Sequence, residues 1–266
     1  MANALEMALC IQQAYKYNQK DKVVSDDNFI EYIESTFVHP KKHFLDENTL
    51  IPKFEVKTEV GVDAYIELIE GDLRIGIAGS NSIKDWVLNL VHFKHSLAAK
   101  IDPSKTDLSY RIGYESVFGH ISNYLSVLDR LINKQIIPSV KTISVAGHSA
   151  GARVADRVVL SLAHGYAKER GTEIPIPINL YSFGSPMFTE IFHEKRLQAS
   201  HINLQRFEIE ADFISHFPSI FLTKAEKRDR NQYIVTLPSV APVFNPIKNH
   251  VLSGYIKALG KLKCFS

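Results

Sequence analysis

The feature that most constrains this chain is a serine held between two glycines where a strand-like run meets a helical one. Residues 142–146 form a short apolar run, and 151–167 carry a helical pattern. Between them lies Gly147-His148-Ser149-Ala150-Gly151, a G-x-S-x-G sequence. A strand-to-helix turn this tight would drive flanking side chains into neighbouring backbone, and glycine at both flanks removes them. Ser149 is then pushed out above a sheet, at a helix N-terminus whose backbone N–H groups point toward any nearby oxyanion. With 13 glycines in 266 residues the bare pattern is weak. Its place between strand and helix makes it specific, and Ser149 is the candidate nucleophile. Adjacent residues in a sharp turn point apart, so His148 is assigned a structural role.

The flanking sequence supplies the sheet such a turn requires. Strands are expected at 54–60, 62–70, 73–78, 178–183 and 202–209, with Gly71-Asp72 as a turn. Helical spacing marks 83–91, 114–135 and 251–259, and Pro138 ends the second of these. Residues 1–53 read as an N-terminal helical segment. Leu5, Ala8 and Leu9, near Gln12, Tyr15 and Tyr17, form its part-buried face, followed by charged helix and loop from about residue 20. Strands alternating with helices predict a mostly parallel sheet covered by helices. No shift in composition marks an internal boundary, so 1–266 is expected to be one domain.

Composition narrows the function classes. Apolar residues are 45% and charged residues 23%, which excludes a disordered or fibrous chain. Thirty-one Lys and Arg against 29 Asp and Glu leave a formal charge of +2, so the electrostatic footprint of a nucleic-acid binder is missing. Cys10 and Cys264 sit near opposite ends, in no zinc-ligating spacing, and suit a reducing compartment better than a disulfide framework. Residues 1–18 lack a basic leader, and Glu6 interrupts their apolar run. No apolar run approaches the ~18 residues of a membrane span. The expected location is cytoplasmic.

A serine needs an adjacent base. On a strand–elbow–helix scaffold the order along the chain is Ser, then Asp or Glu, then His. Asp156 lies seven residues down the following helix, roughly 10 Å from the elbow at 1.5 Å per residue. Asp229 falls in a charged, solvated run, 224–230. Asp212 follows the strand at 202–209, where an orienting carboxylate belongs, with Glu208 and Glu210 as rivals. His216 and His250 remain as bases. His216 is only four residues beyond Asp212, whereas the loop bearing His250 can reach over the sheet, so His250 is preferred. Ser80 ends the strand at 73–78, where a second oxyanion donor belongs. Its N–H and hydroxyl would pair with the N–H of Ala150. Ile83, Trp86, Val87, Leu90 and Val91 then recur on one helical face, fit either for core packing or for a lid over an apolar cleft.

Several segments together resemble the class 3 (fungal-type) lipases of the α/β-hydrolase superfamily. Ile77-Ala78-Gly79-Ser80 with Asp85-Trp86 resembles that family's F-R-G-T/S and D-W, and Arg111-Ile112-Gly113-Tyr114 its H-x-G-F. Tyr181-Ser182-Phe183-Gly184-Ser185-Pro186 is similar to its F-G-x-P, and 210–218 to its aspartate loop. His250 with Tyr255 matches H-x-x-x-x-Y. Ala78 stands where the family has arginine, and Ser215 where its aspartate loop has a first proline. The likeness runs from about residue 60 to 256.

The resemblance implies an α/β-hydrolase fold, with a mostly parallel central sheet, helices on both faces and a short helical lid near 81–94. It implies a triad of Ser149, Asp212 and His250, and oxyanion donors at Ser80 and Ala150. The expected activity is serine-dependent hydrolysis of lipid acyl esters, of triacylglycerol-lipase or phospholipase type, through an acyl-enzyme. No metal or cofactor is implied. The expected partners are the lipid or ester substrate and a transient lipid surface met through the lid. The alternatives are a non-catalytic lipase-like scaffold and an acyltransferase using the same triad.

Overall fold

The computed structural model describes residues 2–16, 53–56, 64–79, 119, 122, 139–164, 176–185, 202–212, 215, 234–240 and 249–263, with backbone only at 16, 53–56, 164 and 263. Among them are seven strands: β1 (Lys53–Val56), β2 (Ala64–Ile69), β3 (Asp72–Ile77), β4 (Thr142–His148), β5 (Ile178–Phe183), β6 (Ile202–Ile209) and β7 (Ile234–Leu237). The helices are α1 (Ala4–Lys16), α2 (Ala150–His164) and α3 (Leu252–Lys263). The strands form one sheet whose spatial order is the order of the sequence. β1, β2 and β3 pair antiparallel, and β3 through β7 pair parallel. This is the mostly parallel α/β architecture expected above.

Side-chain alternation along a strand places helices on both faces. Tyr65, Ala146, Tyr181, Phe183, Phe207 and Ile209 point into one core with Met7, Cys10 and Ile11 of α1 and Tyr255 and Ala258 of α3. The Phe183 and Phe207 rings stack there at 5.1 Å. On the opposite face, Arg206 of β6 meets Asp156 of α2 at 3.8 Å. Both faces being covered, β4 and β5 are buried along nearly their whole length, polar residues such as Ser144 and Asn179 included.

The helix α1 lies along β3. Ala2, two residues ahead of the helix, is tied at the start of the strand, its N–H donating to Asp72 Oδ2 at 2.8 Å. The hydroxyl of Tyr181 donates to the Ala2 carbonyl at 2.8 Å. A Cβ on Gly76 would fall 2.6 Å from the Cys10 carbonyl carbon and 2.7 Å from the Ile11 nitrogen, so glycine is what lets the helix backbone touch the strand. The buried face of α1 is Met7, Ala8, Cys10, Ile11 and Ala14. Leu9, expected on the buried face, is 40% exposed. The two-residue turn joining β2 to β3 is Glu70-Gly71, one residue earlier than expected. Both residues have positive φ, at 52° and 86°, as a primed hairpin turn requires.

β7 was not foreseen from the sequence. The helices expected at 83–91 and 114–135 lie outside the described residues, apart from Gly119 and Ser122. Among the described residues no helix is long and apolar enough to cross a membrane.

Candidate active site

The turn between β4 and α2 has the geometry its glycines suggest. Ser149 adopts φ 54°, the left-handed region that a residue with a side chain enters only under strain. A Cβ on Gly147 would lie 2.4 Å from the Gly151 carbonyl oxygen, and one on Gly151 would lie 2.4 Å from the Ala78 carbonyl oxygen. The elbow is pinned from both sides. Ser149 N–H donates to the Phe183 carbonyl at 2.9 Å, and Ala152 N–H donates to the Ser149 carbonyl at 3.1 Å. Ala150 opens α2, so its N–H has no acceptor within the helix.

Asp212, past the end of β6, and His250, just before α3, meet Ser149 in a hydrogen-bonded chain. His250 Nδ1 lies 3.0 Å and 2.9 Å from the two carboxylate oxygens of Asp212, and its Nε2 lies 2.8 Å from Ser149 Oγ. With Nδ1–H donating to the carboxylate, Nε2 is left to accept the serine proton. Asp212 and His250 are both buried. Tyr255, one turn into α3, donates its hydroxyl to Asp212 Oδ2 at 2.6 Å. Burial, then the Asp212 charge, hold that phenol well above its ordinary pKa, so it stays a donor. Ser215 N–H adds a longer contact to Asp212 Oδ1 at 3.4 Å. Gly184 packs against this pair at φ 57°. A Cβ there would lie 3.0 Å from both Asp212 Oδ2 and the Tyr255 hydroxyl.

His148, beside the nucleophile, is buried under the base. Its Nε2 lies 2.6 Å from the His250 carbonyl oxygen and its Nδ1 lies 2.7 Å from the Tyr15 hydroxyl. The His148 and His250 rings are 5.1 Å apart. Burial, and then the neighbouring His250, push the His148 pKa down to about 3. It is therefore neutral near neutral pH.

Residues 74–222, more than half of the chain, match the family described as Lipase (class 3). The chain belongs to the class 3 lipases. The Arabidopsis thaliana protein named "Galactolipase DONGLE, chloroplastic" is 27% identical over 168 residues, which are 58% of this chain and 35% of that protein. The chain thus spans about a third of the length of this curated relative. The crystal structure of M37 lipase superposes with a TM-score of 0.53 at 14% identity, over 99% of this chain and 95% of that one. Lipase II from Rhizopus niveus gives 0.49 at 15% identity, over 81% and 72%. The M37 likeness is one of fold, and the fold is that of the α/β-hydrolases.

Within this class 3 lipase, the structure brings Ser149, Asp212 and His250 together, with Ala150 at the helix N-terminus beside them. Ser80, Ile83, Trp86, Val87, Leu90 and Val91 lie outside the described residues, as do His216 and Asp229. The rival carboxylates point elsewhere. Glu208 faces the α2 side of the sheet, Glu210 is exposed in the turn after β6, and Asp156 is buried against Arg153 and Arg206. In the sequence Tyr255 stands out only as part of a motif, and nothing there marks Tyr15 for the site. Tyr255 sits five residues past His250, where one helical turn carries it back toward Asp212. For Tyr15 the available signal was Gly76, which marks a close approach to β3 without naming the helix that makes it.

Proposed function

We propose that the protein is a serine-dependent carboxylic ester hydrolase acting on lipid acyl esters through an acyl-enzyme, the whole chain working as one α/β-hydrolase domain. The observation that carries this reading is the chain Ser149 Oγ, His250 Nε2, His250 Nδ1, Asp212, closed at 2.8 Å and 2.9 Å. His250 takes the Ser149 proton as Oγ attacks the ester carbonyl, and returns it to the leaving alcohol. Water, deprotonated by the same imidazole, then releases the acid. Asp212 holds the imidazole with its proton on Nδ1 and stabilises the imidazolium. The N–H of Ala150, together with the N–H and hydroxyl of Ser80, would hold the oxyanion.

The helix carrying Ile83, Trp86, Val87, Leu90 and Val91 would serve as a lid, its apolar face meeting a lipid surface when open. The family supports lipid esters over small soluble ones. The Arabidopsis relative, being named a galactolipase, adds polar-headed acyl esters to the candidates. The buried free thiol of Cys10 is consistent with a reducing, cytoplasmic location.

The deciding experiment combines labelling by a fluorophosphonate with turnover on a panel of galactolipid, phospholipid, triacylglycerol and p-nitrophenyl esters. The expected result is stoichiometric labelling, abolished by Ser149→Ala, and hydrolysis of long-chain acyl esters. A purified, folded protein that neither labels nor turns over any member would establish a binding scaffold instead. Preferential transfer of the acyl group to added alcohol over water would make it an acyltransferase.

A further inference from the structure

The hydrogen bonds around Tyr15 have one consistent direction. Gly79 N–H donates to the Tyr15 hydroxyl oxygen at 2.8 Å. The hydroxyl proton is then directed to His148 Nδ1, 2.7 Å away. With Nδ1 accepting, the ring proton of neutral His148 is on Nε2, which donates to the His250 carbonyl at 2.6 Å. A single ordered path therefore runs from the end of β3, through the last turn of α1, to the backbone of the residue read as the base. Both ends of that path matter to the chemistry. Gly79 precedes Ser80, and a Cβ on Gly79 would lie 3.0 Å from both the Ser149 Cβ and the Tyr15 hydroxyl. Strand end, nucleophile and phenol thus converge within a few ångströms.

The placement follows from how α1 is fixed. Ala2 is held at the first residue of β3 and Tyr15 just past its last. The thirteen steps from Ala2 to Tyr15 at 1.5 Å rise about 20 Å and the seven from Asp72 to Gly79 at 3.3 Å about 23 Å, so helix and strand are close in length. Clamped at both ends, α1 holds the phenol at the catalytic rim as a fixture of the sheet.

We propose that Tyr15 and His148 are positioning residues for ester hydrolysis, joining the oxyanion side of the site, at Gly79, to the backbone carbonyl of His250. The proposal rests on the Ser149–His250–Asp212 reading. Tyr15 fixes the Gly79 amide directly. His148 fixes the stem of the base, and because it is neutral it sets no second positive charge beneath His250 when that ring becomes imidazolium. The groups facing His148 are Tyr15, His250, Tyr255 and, through them, Asp212.

The test uses variants that separate the two contacts. The amide nitrogen of Gln can occupy the place of His Nε2, and the amide of Asn the place of His Nδ1. Turnover of p-nitrophenyl butyrate is measured per site titrated to completion with a fluorophosphonate, which counts only folded enzyme. Tyr15→Phe and His148→Asn are expected to lose about tenfold in kcat, the scale of one or two hydrogen bonds, with KM within about twofold. His148→Gln, which keeps the donor to the His250 carbonyl, should recover most of that loss. Tyr15→Phe and His148→Asn at wild-type kcat per site would overturn the proposal, as would His148→Gln as slow as His148→Asn. A Ser149→Ala protein that still turns over substrate would instead remove the triad reading. Should the variants not fold, 15N-labelled histidine in the wild-type protein decides the matter. Nε2-protonated, Nδ1-unprotonated His148 at pH 5 supports the path, and the opposite tautomer or an imidazolium there excludes it.

Discussion

At Ser149 two demands on one residue conflict. The elbow needs a left-handed backbone, which costs a residue with a side chain about 1–2 kcal/mol, and the chemistry needs a hydroxyl. Ser149→Ala should lose at least ~10³-fold in kcat, because the three groups act as a unit. Ser149→Gly should be equally inactive but about 1 kcal/mol more stable than Ser149→Ala, since glycine alone accepts φ 54° without strain. Urea unfolding of the two inactive proteins checks this, and an alanine variant as stable as the glycine one would mean the elbow is unstrained. Tyr255→Phe removes the donor to Asp212 Oδ2 and should lower kcat about tenfold with little change in KM. A steady-state comparison on one ester decides it. His148 predicts a pH effect on stability. Its pKa is near 3 when folded and about 6.5 when unfolded, so between those values the unfolded chain binds more protons. Its contribution is complete above about pH 6.5 and is lost as pH falls toward 3, at up to about 1.4 kcal/mol per pH unit. His148→Gln should flatten the stability curve between pH 4 and 6.5. An unchanged slope in denaturant unfolding would assign the acid sensitivity to other groups.

At the scale of elements, what could be read from the sequence depended on whether local pattern or a distant partner decides the outcome. β5 and β6 have the bounds expected of them, because β-branched and aromatic residues recur along both and, in β6, Ile202, Leu204, Phe207 and Ile209 alternate with polar positions up to the turn. The sequence points to Gly71 as the opening of the turn after β2, one residue late, because glycine marks a turn and glutamate does not, whereas Glu70 occupies its first left-handed position. The buried face of α1 was misread because Leu9 looks like a core residue. Which face is buried is set by the bare backbone at Gly76, 66 residues beyond Cys10. β7 is four residues long, with two exposed side chains, and carries too little pattern to stand out. In the site, the residue types and chain order of Ser149, Asp212 and His250 were legible. The partners of Tyr15 were not, being 64 and 133 positions away. Gly76→Ala tests the packing that joins α1 to β3. The added methyl meets backbone, which cannot swing aside, so a loss of about 1–3 kcal/mol is expected. In a Cys264→Ser background the Cys10 thiol, inert while buried, should then react faster with a disulfide reagent. Unchanged stability and labelling would show that the helix rides freely over the strand.

For the molecule as a whole, the proposed lid ties activity to the physical state of the substrate. Uncovering five large apolar side chains in water, at about 25 cal/mol per Å2, costs several kcal/mol, which a lipid surface would offset. Activity should rise across the solubility limit of an ester, and Trp86→Glu should shrink that rise more than it slows hydrolysis of short soluble esters. A smooth saturation curve for the wild type would assign the helix to core packing. The sheet, whose strands stand side by side in the order they occur in the chain, bears on how the protein comes into being. As the polypeptide leaves the ribosome each new strand can join the free edge left by the one before, so β1 to β7 can assemble outward without waiting for later sequence. α1 is made before every strand of the sheet, yet its seat extends across to β5 and it must wait for that strand. His250 follows β7, and its bond to Ser149 closes a loop of 101 residues. A nascent chain halted between Asp212 and His250 would therefore already carry the elbow and the carboxylate, on a growing sheet with an open edge, and still be chemically silent.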